Sequence, residues 1–320
     1  MKVFQGLASF YSTVPCVLTI GNFDGVHRGH RALLIKAKAD AKENGLKLVV
    51  MTFEPHPREF FDAQQAPLRL TLWRDQICAL LECGVDQVIM ARFDKHFAKQ
   101  SHELFVTQTL INTLRAKIIY VGDDFRYGFQ RAGNINTLKQ AGLRYHFDVK
   151  QIKTIAGDDG LRISSTRVRQ ALANGEIHKA NHLLGHPYQM SGRVIHGKQL
   201  GRTLGFPTLN IRIVHNRPAL IGILLVKVWG LSSQPMLGVA SIGKRPTVDH
   251  SGRYLLEVHV LDWQGDAYGK LVTIEFLHKL HDEIHYANLE KLVAGITQDV
   301  FQARQWFAQH SSISGINDCS

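Results

Sequence analysis

Short apolar runs alternate along the first half of the chain with segments in which apolar residues recur every three or four positions. The runs at 17–20, 46–53, 85–90 and 117–121 predict buried strands, and 144–149 predicts a fifth. Helices are predicted from about 30 to 44, over 72–81, and after Ser101 as an N-cap. Alternating strands and helices are typical of a Rossmann-like, doubly wound parallel sheet of the α/β class, whose ligands bind beyond the carboxyl ends of the strands.

The pattern changes after a short predicted helix at 177–184, which Gly185 and Pro187 end. Short β-type runs separated by glycines follow, as in a small antiparallel β-barrel. A last helix is predicted from its cap at Asn288, with an apolar stripe through Leu289, Leu292, Val293, Ile296, Val300 and Ala303. We therefore expect domains at 1–185 and 186–310, with a polar tail at 311–320.

The first predicted strand runs into a glycine-rich turn, 21–30, which leads into a helix. Such a turn lets the backbone approach a phosphate at the helix N-terminus. His27 and His30 flank Gly29 at this point, so their imidazoles lie on one face of the helix beside the phosphate. A zinc pair is the alternative, but no third ligand follows at metal-site spacing. The dinucleotide pattern G-x-G-x-x-G is absent.

Three further loops with unusual composition follow predicted elements. A proline-rich loop at 52–57 is a rigid turn or a ligand edge, and 122–134 combines acids, aromatic residues and arginine. Hydroxyl residues and arginines at 162–169 either cap a helix or bind phosphate oxygens. Each loop alone fits a plain structural role.

Together, the motifs GxFDGxHxGH, TFxPHP, GxDFxxG and ISSTxxR resemble the adenylyltransferase half of bacterial bifunctional riboflavin kinase/FAD synthetases, with Tyr127 in place of the usual Phe. In that family the FMN phosphate attacks the α-phosphate of ATP and pyrophosphate leaves. The resemblance implies that His27 and His30 are catalytic. It implies phosphate binding by Gly21, Phe23, Asp24, Gly25, Gly29, Ser164, Ser165, Thr166, Arg167 and Arg169, and flavin binding by Phe53, Pro55, His56, Pro57, Asp124 and Arg126.

A dense glycine-rich stretch at 192–210 opens the second half. Its beginning imitates a Walker A loop, but Gln199 stands where Ser or Thr is needed and no long helix pattern follows. The motif GxVxxGxxLGRxLGFPTxN instead resembles the flavokinase loop. The resemblance implies that Thr208 and Asn210 hold Mg²⁺ with ATP, whose phosphates Gly197, Gly201 and Gly205 approach.

Strict alternation at 256–260 puts Glu257 and His259 on one face of a predicted strand. A lone strand glutamate is usually a solvated side chain. Phosphorylating a hydroxyl requires a base, however, and the LEVHxLD context matches the family's catalytic glutamate. Glu257 is therefore the candidate general base.

Four places depart from the flavokinase pattern: the run 222–225, Ser241, His281 and His285. The two histidine positions usually carry Arg, or Lys or Arg, and histidine lacks the permanent charge and fork geometry of arginine. The departures concern flavin affinity or kinase rate rather than the fold. With Thr208, Asn210 and Glu257 intact, we expect an active kinase.

Composition adds little to this picture. The 320 residues are 45% apolar and 20% charged, with no apolar run long enough to span a bilayer and no signal peptide, so we expect a cytoplasmic protein without a membrane partner. The four cysteines show no paired spacing and fit reduced thiols. The net charge of +11 suits anionic substrates such as ATP and is not concentrated in a nucleic-acid motif.

The expected function is phosphorylation of riboflavin to FMN and adenylylation of FMN to FAD, with ATP as co-substrate and Mg²⁺ as cofactor. One alternative is a monofunctional FAD synthetase with an impaired kinase domain, which the histidine departures motivate. Another is a non-catalytic, basic protein that binds nucleotides or nucleic acid. The sequence leaves the oligomeric state open.

Overall fold

A computed structural model describes residues 2–10, 14–197, 200–213, 218–244 and 254–310. The chain divides into two compact units, one formed by Met1–Pro67 and Gln76–Ser164, the other by Leu68–Asp75 and Ser165–Ser320. A domain boundary at Gly185 stays a prediction, and this division groups the two helices before it with the second unit. The predicted tail at 311–320 lies outside the described residues.

The first unit is built on a six-stranded sheet whose neighbouring strands are all parallel. The strand order is β1-β4-β3-β2-β5-β6, which confirms the predicted α/β class. The strands are β1 (Lys2–Gln5), β2 (Cys16–Ile20), β3 (Lys47–Glu54), β4 (Gln87–Arg92), β5 (Ala116–Gly122) and β6 (Asp148–Ile152). The helices are α1 (Arg28–Glu43), α2 (Pro57–Phe61), α3 (Trp73–Glu82), α4 (Lys95–Ala98), α5 (His102–Leu104) and α6 (Ile135–Tyr145), with a π-helix at Phe105–Thr113 and 3-10 turns at Leu7–Ser9 and Phe129–Arg131.

Both faces of this sheet are covered, which is why its central strands are continuous apolar runs. All five residues of β2 are buried, and its side chains alternate between two separate core clusters. The predicted stripe of α1, formed by Leu33, Leu34, Ala37 and Ala41, packs on one face. From β2 the chain winds outward through β3 to β4 and then returns to β5 on the other side. The reversal at β2 opens a crevice at the carboxyl ends of these strands.

Some predicted boundaries in the first unit are wrong. The fifth strand was expected at 144–149, but Arg144 and Tyr145 end α6, and β6 begins only at Asp148. The reason is a capping box at Asn134 that starts α6, and a left-handed His146 that ends it. The short edge strand β1 was also missed, since its four mostly exposed residues carry little pattern.

The second unit is a closed antiparallel barrel with helices, as predicted. Its strand order is β10-β11-β8-β7-β12-β9. The strands are β7 (Gln189–Ile195), β8 (Leu209–Arg212), β9 (Gly222–Trp229), β10 (Met236–Lys244), β11 (Tyr254–Val260) and β12 (Leu271–His281). The helices are α7 (Ser165–Ala173), α8 (Ile177–Leu184), α9 (Leu200–Thr203) and α10 (Leu289–Gln309).

The last helix, α10, packs against the outside of the barrel. The side chain of Asn288 caps it by accepting a hydrogen bond from the N–H of Lys291 at 2.9 Å, as predicted. Ala303 and Phe307 are buried against Leu225, Val239, Leu261 and Leu277 of the barrel. Val300 and Ala303 of the predicted stripe therefore lie on the packed face, whereas Leu289 at its start is 54% exposed.

Two observations bear on the surroundings of the protein. No helix within the described ranges has the length and apolar character to cross a membrane. Cys16, Cys78 and Cys83 are free thiols, and Cys319 lies outside the described residues.

Candidate active sites

The turn between β2 and α1 is the most strained segment at the carboxyl edge of the sheet. Phe23 and Val26 have positive φ angles of 48° and 39°, a region that costs non-glycine residues free energy. The hydroxyl of Thr52 donates to the carbonyl oxygen of Asn22 at 3.3 Å, which ties the turn to the neighbouring strand. Asp24 is buried with only 6% of its surface exposed. Backbone strain held by such contacts is typical of a ligand site.

The two predicted histidines are stacked at the start of α1. Their ring centroids lie 3.7 Å apart with an interplanar angle of 13°. His27 is the N-cap, and its Nδ1 accepts the N–H of His30 at 3.3 Å. A Cβ on Gly29 would lie 3.1 Å from Cε1 of His27, so glycine leaves this ring in place.

His30 has a buried ring nitrogen, Nδ1, without a hydrogen-bond partner among the described residues. Burial and then the neighbouring His27 hold the pKa of His30 well below its ordinary value. The unliganded imidazole is therefore neutral. An unsatisfied buried nitrogen at a helix N-terminus is well suited to a phosphate oxygen, which supplies the missing partner.

The end of β3 carries an aromatic cluster that the sequence patterns did not reveal. His56 caps α2, with Pro55 before it in a cis peptide and Pro57 as its first residue. Phe53 packs edge-on against Phe93, with ring centroids 5.8 Å apart. Phe60 and Phe61 contact the same Phe93 ring from α2, and Phe61 is 70% exposed. The sequence did not indicate this cluster, because Phe93 is distant in the chain from Phe60 and Phe61, and only the fold brings the three rings together.

The end of β5 is held by an arginine that was also missed. Arg162 donates to the Asp124 carboxylate at 2.8 Å, and the hydroxyl and N–H of Thr154 bind Asp123. The hydrogen bond from Thr154 lowers the pKa of Asp123. Asp124 is therefore partly neutralised by a side chain of the loop that follows β6. Arg126 is exposed.

The predicted phosphate-binding hydroxyls lie at the start of α7, as expected. Ser164 ends the first unit, while Ser165, Thr166 and Arg167 begin the second. The Nε of Arg169 donates to the carbonyl oxygen of Leu68 within the second unit. Arg169 thus anchors the 68–75 segment, a role that the sequence did not indicate.

In the barrel, the candidate base lies between two polar neighbours. Glu257 in β11 pairs with Asn210 of β8 on one side and with Ser241 of β10 on the other. Glu257 is exposed and its neighbours Leu256 and Val258 are buried, which confirms the predicted alternation. Asn210 is only 6% exposed.

The glycines of the 197–205 segment make room for these side chains. A Cβ on Gly197 would lie 2.5 Å from Nδ2 of Asn210, whereas one on Gly201 would collide with the carbonyl oxygen of Phe206 and lie at an ordinary contact distance of 3.4 Å from Oγ1 of Thr208. Gly205 has a positive φ of 87°. Only the four-residue helix α9 follows, which agrees with the rejection of a Walker A loop, while Lys198 and Gln199 lie outside the described residues.

Two ring contacts border the same end of the barrel. His196 stacks on Tyr268 with centroids 3.8 Å apart, and His259 Nδ1 lies 2.9 Å from the carbonyl oxygen of Pro207. Alternation placed His259 on the face of Glu257, but nothing local predicted Tyr268 as a partner of His196.

The departure at His281 is compensated in part. Nε2 of His281 lies 2.9 Å from Oδ1 of Asp299, and Nδ1 lies 2.7 Å from the carbonyl oxygen of Asp282. Burial by itself would lower the pKa of His281, but these hydrogen bonds raise it above the ordinary value. His285 is exposed.

Comparison with known proteins decides the family. A model of FAD synthetases matches residues 11–167, and a model of riboflavin kinases matches residues 184–307. A protein of Escherichia coli (strain K12) named bifunctional riboflavin kinase/FMN adenylyltransferase is 46% identical over 310 residues, which cover 96% of this chain and 98% of the relative. The chain belongs to the bifunctional riboflavin kinase/FMN adenylyltransferase family.

A second curated relative carries the same name, and a solved structure shares the fold. The bifunctional riboflavin kinase/FMN adenylyltransferase of Haemophilus influenzae is 44% identical over 96% of this chain and 99% of its own length. A solved structure described as a macrolide-efflux protein from Streptococcus pneumoniae has a TM-score of 0.78 at 28% identity, over 95% of this chain and 99% of that one.

Membership in the bifunctional riboflavin kinase/FMN adenylyltransferase family confirms the predicted enzyme class, a transferase with a nucleotidylyltransferase half and a kinase half. The parallel sheet corresponds to the first half and the barrel to the second. The roles of the individual site residues stay predictions.

Proposed function

We propose that this chain converts riboflavin to FMN in its barrel and FMN to FAD at the carboxyl edge of its parallel sheet, with ATP as the co-substrate of both reactions. The observation that carries the proposal is the coexistence of two built sites. One has stacked imidazoles at a strained helix start, and the other has a strand carboxylate paired with a buried asparagine beside a glycine-rich segment.

At the sheet, the protein's part is to bind and orient. The FMN phosphate attacks the α-phosphate of ATP, and pyrophosphate leaves. Phosphate oxygens at the start of α1 contact the stacked His27 and His30, and the free Nδ1 of His30 supports this role. Gly21, Phe23, Asp24, Gly25 and Gly29 shape the turn for the triphosphate. The Ser164–Arg167 hydroxyls and guanidinium stabilise charge on the leaving phosphates.

The flavin ring binds beside this phosphate site. Phe53, Pro55, His56 and Pro57 border it, and the exposed face of Phe61 offers an apolar surface for a planar ring system. Asp124, held by Arg162, and the exposed Arg126 are polar groups for the other side of the ligand.

In the barrel, Glu257 accepts the proton of the riboflavin hydroxyl that attacks the γ-phosphate of ATP. Its place opposite Asn210 supports this role, because the paired strands β8 and β11 then present the base next to the residue proposed to bind Mg²⁺ and the ATP phosphates. Gly197, Gly201 and Gly205 let the ATP phosphates approach the backbone.

The residues present suit Mg²⁺ in the barrel. The hydroxyl of Thr208 and the amide oxygen of Asn210 are the hard oxygen donors that this ion prefers, and the missing Cβ of Gly197 leaves space for the Asn210 side chain. The ion, when bound, neutralises charge on the ATP phosphates.

Cytoplasmic residence remains a prediction from the sequence.

The two alternative functions predict different experimental results. A chain with an impaired kinase makes FAD from FMN but nothing from riboflavin. A non-catalytic basic protein shows salt-sensitive nucleic-acid binding and no turnover.

The test is chromatography of the purified chain incubated with ATP, Mg²⁺ and either riboflavin or FMN. We expect FMN followed by FAD from riboflavin, and FAD directly from FMN. His27→Ala and His30→Ala should each lower FAD formation by roughly 100-fold or more, the range for lost transition-state stabilisation. Both variants should leave riboflavin phosphorylation intact, so that FMN accumulates. Unchanged FAD formation in both variants would contradict the assigned site.

A further inference from the structure

His281, the last residue of β12, faces a hydrogen-bond acceptor with each of its ring nitrogens. Nδ1 lies 2.7 Å from the carbonyl oxygen of Asp282, and Nε2 lies 2.9 Å from Oδ1 of Asp299. A carbonyl and an ionised carboxylate can only accept, so both bonds require an N–H on the imidazole. The imidazolium carries both protons. The neutral ring keeps only one, and its other nitrogen then points a lone pair at an oxygen.

The surroundings favour the cation. Asp299 is a carboxylate of α10 that is only 8% exposed, and His281 is the cation that bonds it among the described residues. Lys279 on β12 is used elsewhere, since it binds the side chain of Asp282 at 2.6 Å. Ile223, which pairs with His281 from β9, carries no charge. The charged groups that act on the ring are Asp282 of the following loop and Asp299 of α10, with Lys279 of β12 bonded to Asp282 and Tyr286 near Asp299. Glu283 and His285 are the other titratable residues of the loop.

These two bonds join the end of β12 to the first residue of the following loop and to the middle of α10. Residues 282–288 connect β12 with α10, so Asp282 is the first loop residue and Asp299 belongs to the helix that the loop leads into. The side chain of Tyr286 contacts α10 at Gly295, where an added Cβ would collide with its hydroxyl oxygen. Losing the bond to Asp299 removes a contact between the end of β12 and α10, the two elements that the loop joins, and losing the bond to Asp282 frees the first peptide of the loop.

The same loop reaches the strand next to the proposed base. The carboxylate of Glu283 occupies the space above Gly243 of β10, where a side chain would collide with it. Gly243 pairs with Leu255, which precedes Glu257 on the same strand, β11, by two residues. The position of the loop is thus connected, through β10, to the strand that carries Glu257.

We propose that protonated His281 is a latch that holds the 282–288 loop and α10 on the barrel and thereby makes riboflavin binding dependent on pH. The inference rests on the proposed kinase function of the barrel. His281 is a positioning residue, since it acts through the loop. Its hydrogen bonds raise its folded pKa, so the latch is complete below about 6.5, the ordinary histidine value, and is lost as pH rises through the raised pKa.

The first test needs no catalysis. Amide hydrogen exchange of the 282–288 loop is measured in the full-length protein and in His281→Arg and His281→Gln, always comparing variants at the same pH. Arginine supplies several donors at every pH, whereas glutamine has no charge. At pH 9 we expect loop protection in the wild type to be about tenfold lower than in His281→Arg, the factor for one lost charge-assisted hydrogen bond. At pH 6 the two should agree, and His281→Gln should be weakly protected at both values.

The second test follows the reaction. Between pH 6 and pH 9 the ratio of the riboflavin KM of the wild type to that of His281→Arg should rise about tenfold, while the ratio of their kcat values stays constant. FAD formation from FMN in the same samples is an internal control that should not differ between them. Lys291→Gln, which removes a positive charge at an exposed position of α10, should behave as the wild type.

The outcomes separate the two claims. Equal loop exchange in the wild type and His281→Arg at pH 9 overturns the latch, whether or not the chain phosphorylates riboflavin. A chain that makes no FMN at any pH overturns the proposed kinase function, and the exchange comparison still decides whether the latch exists. A pH-dependent change in the ratio of the kcat values instead of the KM values, or an equal change in Lys291→Gln, also overturns the assignment to His281.

Discussion

Glu257 illustrates how one side chain acquires a role from its strand neighbours. Its carboxylate lies on the exposed face of β11, between Asn210 and Ser241 of the adjacent strands. Sequence alternation predicted the face, and the family resemblance suggested the base. The strand pairing adds that a buried amide stands directly beside it.

Replacing Glu257 by Gln keeps the shape of the side chain but removes the proton acceptor. We expect FMN formation from riboflavin to fall about 10²- to 10⁴-fold, the contribution of a positioned general base, while FAD formation from FMN is unchanged. Chromatographic rates with each flavin measure both activities. The matched control is Glu275→Gln, another strand glutamate, which bonds Trp229 Nε1 at 3.1 Å and should retain both activities. Equal losses in the two variants would contradict the assignment.

At the same scale, the residues that the sequence could not predict share a physical cause. Arg162, Phe93 and Tyr268 act through partners that are distant in the chain, namely Asp124, Phe53 and His196. Local pattern drew attention to His27 and His30, because a glycine-rich turn after a strand is visible in the sequence itself, whereas Asn210 and Glu257 were singled out by the family resemblance. Pairwise contacts between loops depend on the closed fold, which no local pattern encodes.

Among the elements, those with strong apolar periodicity were predicted best. The buried β2 and the amphipathic α1 agree with the sequence, although α1 begins at Arg28 rather than His30 because His27 caps it. The strand expected at 144–149 was misplaced, since a capping box extends α6 through Tyr145. The loop at 52–57 leads directly into a short helix, Pro57–Phe61, with its own capping box, which the sequence did not predict.

The glycine-rich segment before β8 offers a test at this scale. Gly197→Ala places a Cβ within about 2.5 Å of the Asn210 side chain and must displace it. We expect the ATP KM of the kinase to rise at least tenfold, consistent with an overpacking cost of about 1–3 kcal/mol, with FAD formation unaffected. Steady-state kinetics at varied ATP measures this.

The control for that variant is Gly269→Ala. Gly269 has a positive φ of 75° but no neighbour within 4 Å of an added Cβ. It should lose stability by about 1 kcal/mol through backbone strain, yet keep the ATP KM. If both variants shift the ATP KM equally, the effect comes from general destabilisation of the barrel and not from Asn210.

At the scale of the whole molecule, each unit has its own apolar core. Two clusters cover the faces of the parallel sheet, and a third joins α10 to the barrel. Alternation of strands and helices predicted the first architecture, and the change to glycine-separated strands predicted the second. The grouping of 68–75 with the second unit was not predicted, because that segment lies within the first half of the sequence.

Because the cores are separate, we expect a mutation in the core of one unit to affect only the activity of that unit. Ala303→Asp introduces a carboxylate at a fully buried position of α10, which should lower the free energy of unfolding by about 3 kcal/mol or more. The temperature at which riboflavin phosphorylation is inactivated should fall by several degrees. The inactivation temperature of FAD formation from FMN should not change. Gln302→Asp, exposed on the same helix, should change neither. Parallel losses of both activities would show that the cores are not independent.

The closure of the barrel has a consequence for how the chain acquires its structure. β12 hydrogen-bonds with β7 on one side and β9 on the other, so the final strand completes both seams. Pairing Val272 with Gly192 brings together residues from the two ends of the barrel sequence. Such non-local contacts slow folding. Until β12 pairs, the edges of β7 and β9 remain unpaired and can pair with strands of other molecules. The second unit is therefore the part of a newly made chain that most depends on low concentration or on a chaperone.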